Sequence, residues 1–504
     1  MTEKYTASIT VEGGQICGTM SGDEAVNIFK GIPYAAPPVG NLRWRAPAPV
    51  IAWDGVRKCT DWSASAIQSE QKPFAVWTKE FIIADTGYSE DCLYLNVWAP
   101  NDGRKNHPVI VYFHGGNYIT GGSSCAIYDG TNFARNGVVI VTFNFRVGTL
   151  GLLATSALSA ESEHGVSGNY MLLDQIKALR WVKENIAQFG GSPDNVTIMG
   201  QSTGGGSVNC LTVSPLAEGL FHKAVSLSYN NAYICVHRFS GKHCDFVPLK
   251  QLEAEGDRIF LKRTAEEMRA MSPQELSVFP VFSQMAIDGY VLPGNFRSGL
   301  QAHRTDNIPM IMGAVAADGG MQFPHWATKT KGQHELNMMR FFGSDGEKAE
   351  EIYPFVPTTR AWQTHPHMSD RVKAALLAVT RMRNSNHAAP TWLSWFSQVL
   401  PGPMSEIFGA FHTSEMPYIF NTIAEERKPV CTPGDFEVAD RMMRYITNFA
   451  ASGNPNGEGL PSWNPSDGST LFEIEAGKFA DIKLPAEVHE LWMRKFETIG
   501  DDEI

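Results

Sequence analysis

Asn195-Val196-Thr197-Ile198-Met199-Gly200-Gln201-Ser202-Thr203-Gly204 runs five β-prone residues straight into the pattern G-x-S-x-G. A strand that breaks sharply into a helix at this point would carry Ser202 at the apex of the turn, with its hydroxyl exposed. Such a backbone leaves no room for a Cβ two residues to either side of the apex, and glycine stands at both positions, Gly200 and Gly204. The five-residue string alone is common in proteins. The strand before it and the small-residue run Gly204 to Ser207 after it give it a context.

Outward from that turn, other apolar β-prone runs have the same character. They are His107 to Phe113, Val138 to Phe143 and Ile308 to Met312. Each is almost continuously apolar, as expected of strands buried on both faces of a mostly parallel sheet. Helical periodicity lies between them, most clearly over Tyr170 to Val182. Alternating strands and helices predict an α/β fold: a large, mostly parallel central sheet with helices on both faces and right-handed crossovers. Residues 232–295 and 341–404 lack strong strands and are rich in charge, proline, methionine and aromatic residues. They read as helical insertions over one end of the sheet, shaping a substrate pocket. Val488, Leu491, Trp492, Phe496 and Ile499 mark a final amphipathic helix with its stripe in the core. No linker or repeat divides the chain, so residues 1–504 are expected to form one domain.

The 504 residues carry a net charge of −11, which argues against nucleic acid or an anionic membrane as partner. No apolar run approaches the roughly 20 residues of a membrane-spanning helix. The first eight residues lack the basic start and apolar stretch of a secretory signal. Of the eight cysteines, Cys235 and Cys244 are closest together, with His237, Lys242 and His243 nearby. Zinc would want two close ligand pairs, so no metal is expected; a Cys235–Cys244 disulfide is open but not compelled. Reduced thiols and a cytoplasmic location are expected.

A serine hydroxyl is a poor nucleophile near neutral pH and needs a histidine base oriented by an acid. If the turn belongs to an α/β-hydrolase arrangement, the acid and then the histidine are expected to follow the serine along the chain. Ala317-Asp318-Gly319-Gly320 and Gly409-Ala410-Phe411-His412 fit that order. From the residues alone any of the 14 histidines is a candidate, and His412 reads equally as a surface or core side chain. The doublet His365-Pro366-His367 reads as a solvated loop. Acyl transfer also needs donors for a developing oxyanion. The loop after a strand, His114-Gly115-Gly116-Asn117-Tyr118, can aim successive N–H groups at one point, and the N–H of Thr203 at a helix N-terminus adds another.

Longer strings carry a resemblance that runs nearly end to end. They include Phe29-Lys30-Gly31-Ile32-Pro33-Tyr34-Ala35, Ser89-Glu90-Asp91-Cys92-Leu93-Tyr94-Leu95-Asn96-Val97 and Asn144-Phe145-Arg146-Val147-Gly148. Phe189-Gly190-Gly191-Ser192-Pro193-Asp194-Asn195-Val196-Thr197 and Met443 to Phe449 with Gly453-Asn454-Pro455 continue the series. The chain resembles the type B carboxylesterases, the family of cholinesterases and bacterial para-nitrobenzyl esterases. The resemblance implies an α/β-hydrolase fold and a catalytic triad of Ser202, His412 and Asp318. It places Gly116, Asn117 and Thr203 in the oxyanion hole with Gly115 beside them. Three positions depart from the family pattern. Asp318 replaces the usual glutamate, a side chain shorter by roughly 1.5 Å. Gln201 stands for an acidic residue, and Thr203 for alanine. Cys92 matches half of a disulfide common in secreted members, but the partner position is Ala66, with Cys59 nearby as the one substitute.

The sequence reading is therefore a serine carboxylesterase acting on a small-molecule ester through an acyl-enzyme, with no cofactor. Lipase-like or amide-hydrolysing chemistry on the same fold, or a silent binding module, are the alternatives. Tyr118, Gln201, Phe323 and Trp326 are expected to line the substrate pocket, with Phe74, Trp77 and Phe81 as further aromatic candidates. Family members include monomers and homodimers, and the sequence does not choose between them.

Overall fold

The computed structural model describes residues 4–229, 245–318, 330–357 and 366–498. Eleven strands make its main sheet: β1 (Thr19–Met20), β2 (Val26–Pro33), β3 (Tyr94–Pro100), β4 (His107–Phe113), β5 (Val139–Phe143), β6 (Gly191–Gln201), β7 (Lys223–Leu227), β8 (Met310–Val315), β9 (Thr391–Phe396), β10 (Leu471–Glu475) and β11 (Lys478–Ile482). Their order across the sheet is β11-β10-β9-β8-β7-β6-β4-β5-β3-β2-β1. From β10 to β5 all neighbours are parallel. The edges β11 and β3-β2-β1 run antiparallel. The sheet is thus mixed at its margins and parallel where both faces are covered, as burial of parallel strands requires.

The apolar runs divide their side chains strictly between two cores. Val109, Val111 and Phe113 of β4 face one, and Ile110 and Tyr112 the other. Helices α1 (Tyr170–Asn185), α2 (Thr203–Val213), α3 (Pro366–Ser385) and α5 (Ala486–Glu497) pack on the first face. The second is covered by α4 (Pro433–Ser452) and by the segment around Phe411 to Phe420. Val488, Leu491, Trp492 and Phe496 are buried, as the stripe in the sequence predicts, while Ile499 lies outside the described residues.

Two expectations change. The stretch 341–404 is not purely helical, because β9 falls inside it as a fully buried strand between β8 and β10. Its six residues, Thr391-Trp392-Leu393-Ser394-Trp395-Phe396, are too few for periodicity to register beside a 20-residue helix. A small residue at each of two facing sites lets the strands meet: a Cβ on Gly313 of β8 would lie 1.8 Å from the Ser394 hydroxyl. Nor is the Pro366-His367 region a solvated loop. Pro366 opens α3 and His367 is buried, while His365 lies outside the described residues. Within 245–295, short helices accompany two short parallel strands, Phe246–Pro248 and Met285–Ile287.

Candidate active site

Ser202 stands at the junction of β6 and α2 with φ +57° and ψ −135°, a conformation that costs a non-glycine residue about 1–3 kcal/mol. The surroundings hold it there. Its N–H donates to the Leu227 carbonyl at 2.9 Å and its carbonyl accepts the Gly206 N–H at 3.1 Å. The flanking glycines are sterically required. A Cβ on Gly200 would come within 2.2 Å of the Gly204 carbonyl oxygen, and one on Gly204 within 2.0 Å of the Phe113 carbonyl oxygen. The Ser202 hydroxyl makes no hydrogen bond among the described residues, to His412 or to any other group.

β4 delivers the second element. After Phe113 the His114 ring stacks on Phe145, centroids 4.1 Å apart, and its Nδ1 meets the Gly115 carbonyl oxygen at 2.8 Å. Burial pushes the His114 pKa down to about 4, so this histidine is a neutral packing element. Gly115 abuts the serine: a Cβ there would sit 2.8 Å from the Ser202 Cβ and 3.5 Å from its Oγ. Gly116, Asn117 and Tyr118 then take φ of +125°, +56° and +61° in succession. The N–H groups of Gly116 and Asn117 donate to no acceptor among the described residues.

The third element joins chain segments 94 residues apart. His412 Nδ1 is hydrogen-bonded to Asp318 Oδ1, and both side chains are buried. The backbone fixes the pair as well, since the Ala317 N–H donates to the Ala410 carbonyl at 3.0 Å. Burial alone would lower the His412 pKa. The charge and hydrogen bond of Asp318, with Glu415 adding to them, carry it above the ordinary 6.5.

Glu415 is a residue that sequence reasoning missed. It lies three positions after His412, is buried, and accepts the Ser228 hydroxyl on Oε1 at 3.2 Å. Burial pushes its pKa up to about 7, against the pull of His412. The spacing His-x-x-Glu is the only trace of it in the sequence.

The expected pocket residues divide. Gln201 is wholly buried, its amide without a hydrogen-bond partner among the described residues, and lines no open space. Tyr118 is 3% exposed and packs edge-on against Tyr229. Trp77 and Phe81 pack on Phe411, the neighbour of His412, and Trp77 Nε1 donates to the Thr413 hydroxyl at 2.8 Å. Phe74 is largely exposed. Phe323 and Trp326, like Cys235 and Cys244, lie outside the described residues. A cavity of about 280 Å³ opens beside the loop after Tyr118, lined by Ile119, Thr120, Val147, Gly148, Phe279 and Val281 among others, none of them charged. Among the described residues no group of three His, Cys, Asp or Glu side chains could hold a metal, and no helix is long and apolar enough to cross a membrane. Cys59 and Cys92 are buried free thiols, not a disulfide.

A parallel sheet that presents a strained serine at a strand–helix turn beside a glycine loop, in a chain that also pairs a buried histidine with a carboxylate, has the features of an α/β hydrolase. Comparison with known proteins narrows the class. Residues 5–492 match the carboxylesterase family, and the chain belongs to it. It is 31% identical to the para-nitrobenzyl esterase of Bacillus subtilis (strain 168), over 92% of this chain and 94% of that one. It is also 31% identical to human cocaine esterase, over 90% and 85% of the two chains. Among solved structures, a carboxylesterase of Geobacillus stearothermophilus superposes with a TM-score of 0.80 at 30% identity, covering 97% of this chain and all of that one. A PNB esterase superposes at 0.78 and 26% identity, over 97% and 99%. The chain is a carboxylic ester hydrolase of the α/β-hydrolase fold.

Proposed function

We propose that Ser202, His412 and Asp318 form the catalytic triad, and that the N–H groups of Gly116, Asn117 and Thr203 form the oxyanion hole, with Gly115 beside them. The observation that carries this is the buried Asp318–His412 pair, and the strained turn that presents Ser202 supports it. With Nδ1–H donated to Asp318, the Nε2 lone pair of His412 is left as the base. Ser202 Oγ attacks the ester carbonyl carbon while His412 takes its proton. The carbonyl oxygen becomes an oxyanion within reach of preorganised N–H donors, each worth about 10²–10³ in rate. His412 returns the proton to the departing alkoxide, leaving an acyl-enzyme. Water, deprotonated by His412, repeats the sequence and frees the acid.

The uncharged cavity after Tyr118 supports an uncharged, largely apolar group on the substrate side of the ester. The free thiols Cys59 and Cys92 support a reducing, cytoplasmic setting. Hydrolysis of para-nitrophenyl acetate and butyrate tests the assignment: the wild type should turn both over, and Ser202→Ala neither. Retention of turnover by Ser202→Ala would remove Ser202 from the triad.

A further inference from the structure

The oxyanion loop stores strain. Asn117 and Tyr118 are consecutive non-glycine residues at positive φ, a backbone that persists only where its surroundings over-determine it. Part of the restraint is local, since the Gly116 carbonyl accepts the Ile119 and Thr120 N–H groups at 3.0 and 2.9 Å and the Thr120 hydroxyl at 3.1 Å; the link to the rest of the fold runs through Tyr118. Its N–H donates to the Thr203 hydroxyl at 3.3 Å, and its carbonyl accepts the Gly148 N–H at 2.7 Å. Its ring lies edge-on to Tyr229 with centroids 6.2 Å apart. Its hydroxyl fills the space above Gly206 of α2, where even a Cβ would be 2.0 Å away. Tyr229 is buried in turn and donates its hydroxyl to the side chain of Asp245. Asn209 of α2 holds the Tyr229 carbonyl at 3.2 Å. Asp245 is buried, and its own carbonyl accepts the Met285 N–H at 2.8 Å, which fixes it to the outlying strand Met285–Ile287. Burial, with the charge of Asp245, holds the Tyr229 phenol well above its ordinary pKa, so it stays a donor throughout the working range.

None of the Thr203 hydroxyl, Tyr229 and Asp245 has a part in the proton transfers above. We propose that these three are positioning residues, a brace that acts through Tyr118 to hold the N–H groups of Gly116 and Asn117 in their catalytic alignment. The inference rests on the oxyanion-hole assignment made above. It also replaces the expectation that Tyr118 lines the substrate pocket: the ring points into the brace, and the cavity begins one residue later, at Ile119.

Two variants test it. Thr203→Val removes the hydroxyl acceptor at constant shape, and Tyr229→Phe cuts the link to Asp245 while keeping the ring. Each should lower kcat about tenfold, as a donor displaced by a fraction of an ångström would, with KM within about twofold. The inhibition constant of a trifluoromethyl ketone, whose adduct with serine places an oxyanion in the hole, should rise in proportion to the loss of kcat/KM. Hydrogen exchange of the peptide containing Gly116 to Tyr118 should quicken in both variants. Folded variants with wild-type kcat, inhibitor affinity and loop exchange would overturn the brace, as would a change in KM alone. Should Tyr229→Phe fail to fold, Thr203→Val decides. Loop exchange is read without activity. An inactive wild type would therefore count against the proposed triad and oxyanion hole, while faster exchange in the variants would still support the brace.

Discussion

At the scale of single residues, the account turns on how His412 is held. Asp318 pairs with Nδ1, and Glu415 adds a second buried carboxyl, so the imidazolium is favoured and the pKa sits above 6.5. A base must be neutral to accept a proton, so a raised pKa moves the acidic limb of kcat/KM to higher pH. With an uncharged ester the midpoint of that limb should lie above 6.5 and fall in Glu415→Gln; a midpoint that does not move would remove Glu415 from the site's electrostatics. Asp318→Asn should cost far more, about 10³–10⁴ in kcat with the fold intact, because the histidine loses its tautomer. Near wild-type turnover in that variant would transfer the acid's role elsewhere, with Glu415 the first alternative. Ser202 was legible because its constraints are local: Gly200 and Gly204 are needed for reasons confined to one turn. Asp318 and His412 were legible only as candidates in the expected chain order, since nothing local links positions 94 apart, and the family resemblance singled them out. Glu415, Tyr229 and Asp245 escaped altogether, because each acquires its meaning only from a buried partner.

Among the elements, the parallel strands were read where burial made the run apolar, as in β4, β5 and the second half of β6, Val196 to Met199. β9 was missed because its run is short and interrupted by Ser394, the residue its neighbour Gly313 needs. The edge of that strand is fastened by α3. Arg383, wholly buried, donates to the Thr305 and Ile308 carbonyls, the Ala389 carbonyl and the hydroxyls of Thr305 and Thr391. These bonds tie the entrances of β8 and β9 to one guanidinium. Arg383→Met keeps the bulk and strands those acceptors, so urea unfolding should show a loss of about 3 kcal/mol or more. A loss under about 1 kcal/mol would mean that water satisfies them.

In the molecule as a whole, the sheet gathers its chemistry at one end. The proposed catalytic residues follow the ends of β4, β6 and β8 or lie in the segment after β9, the end at which open parallel α/β sheets bind ligands. The general architecture followed from the alternation of apolar strands and helices. Its antiparallel margins did not, because β1, β2 and β11 are short or half-exposed and carry no continuous apolar signal. The six cysteines among the described residues are free, and four of them are buried. Unfolding without reductant should therefore expose at least six maleimide-reactive thiols per chain, whereas fewer would reveal a disulfide at Cys59 and Cys92 or elsewhere. The central claim is that Ser202 is the nucleophile, and intact-mass analysis after treatment with an organophosphonate tests it most directly. One adduct per chain, mapped to Ser202 and formed in step with the loss of esterase activity, is the predicted result. An adduct on another residue, or full activity with Ser202 modified, would contradict it.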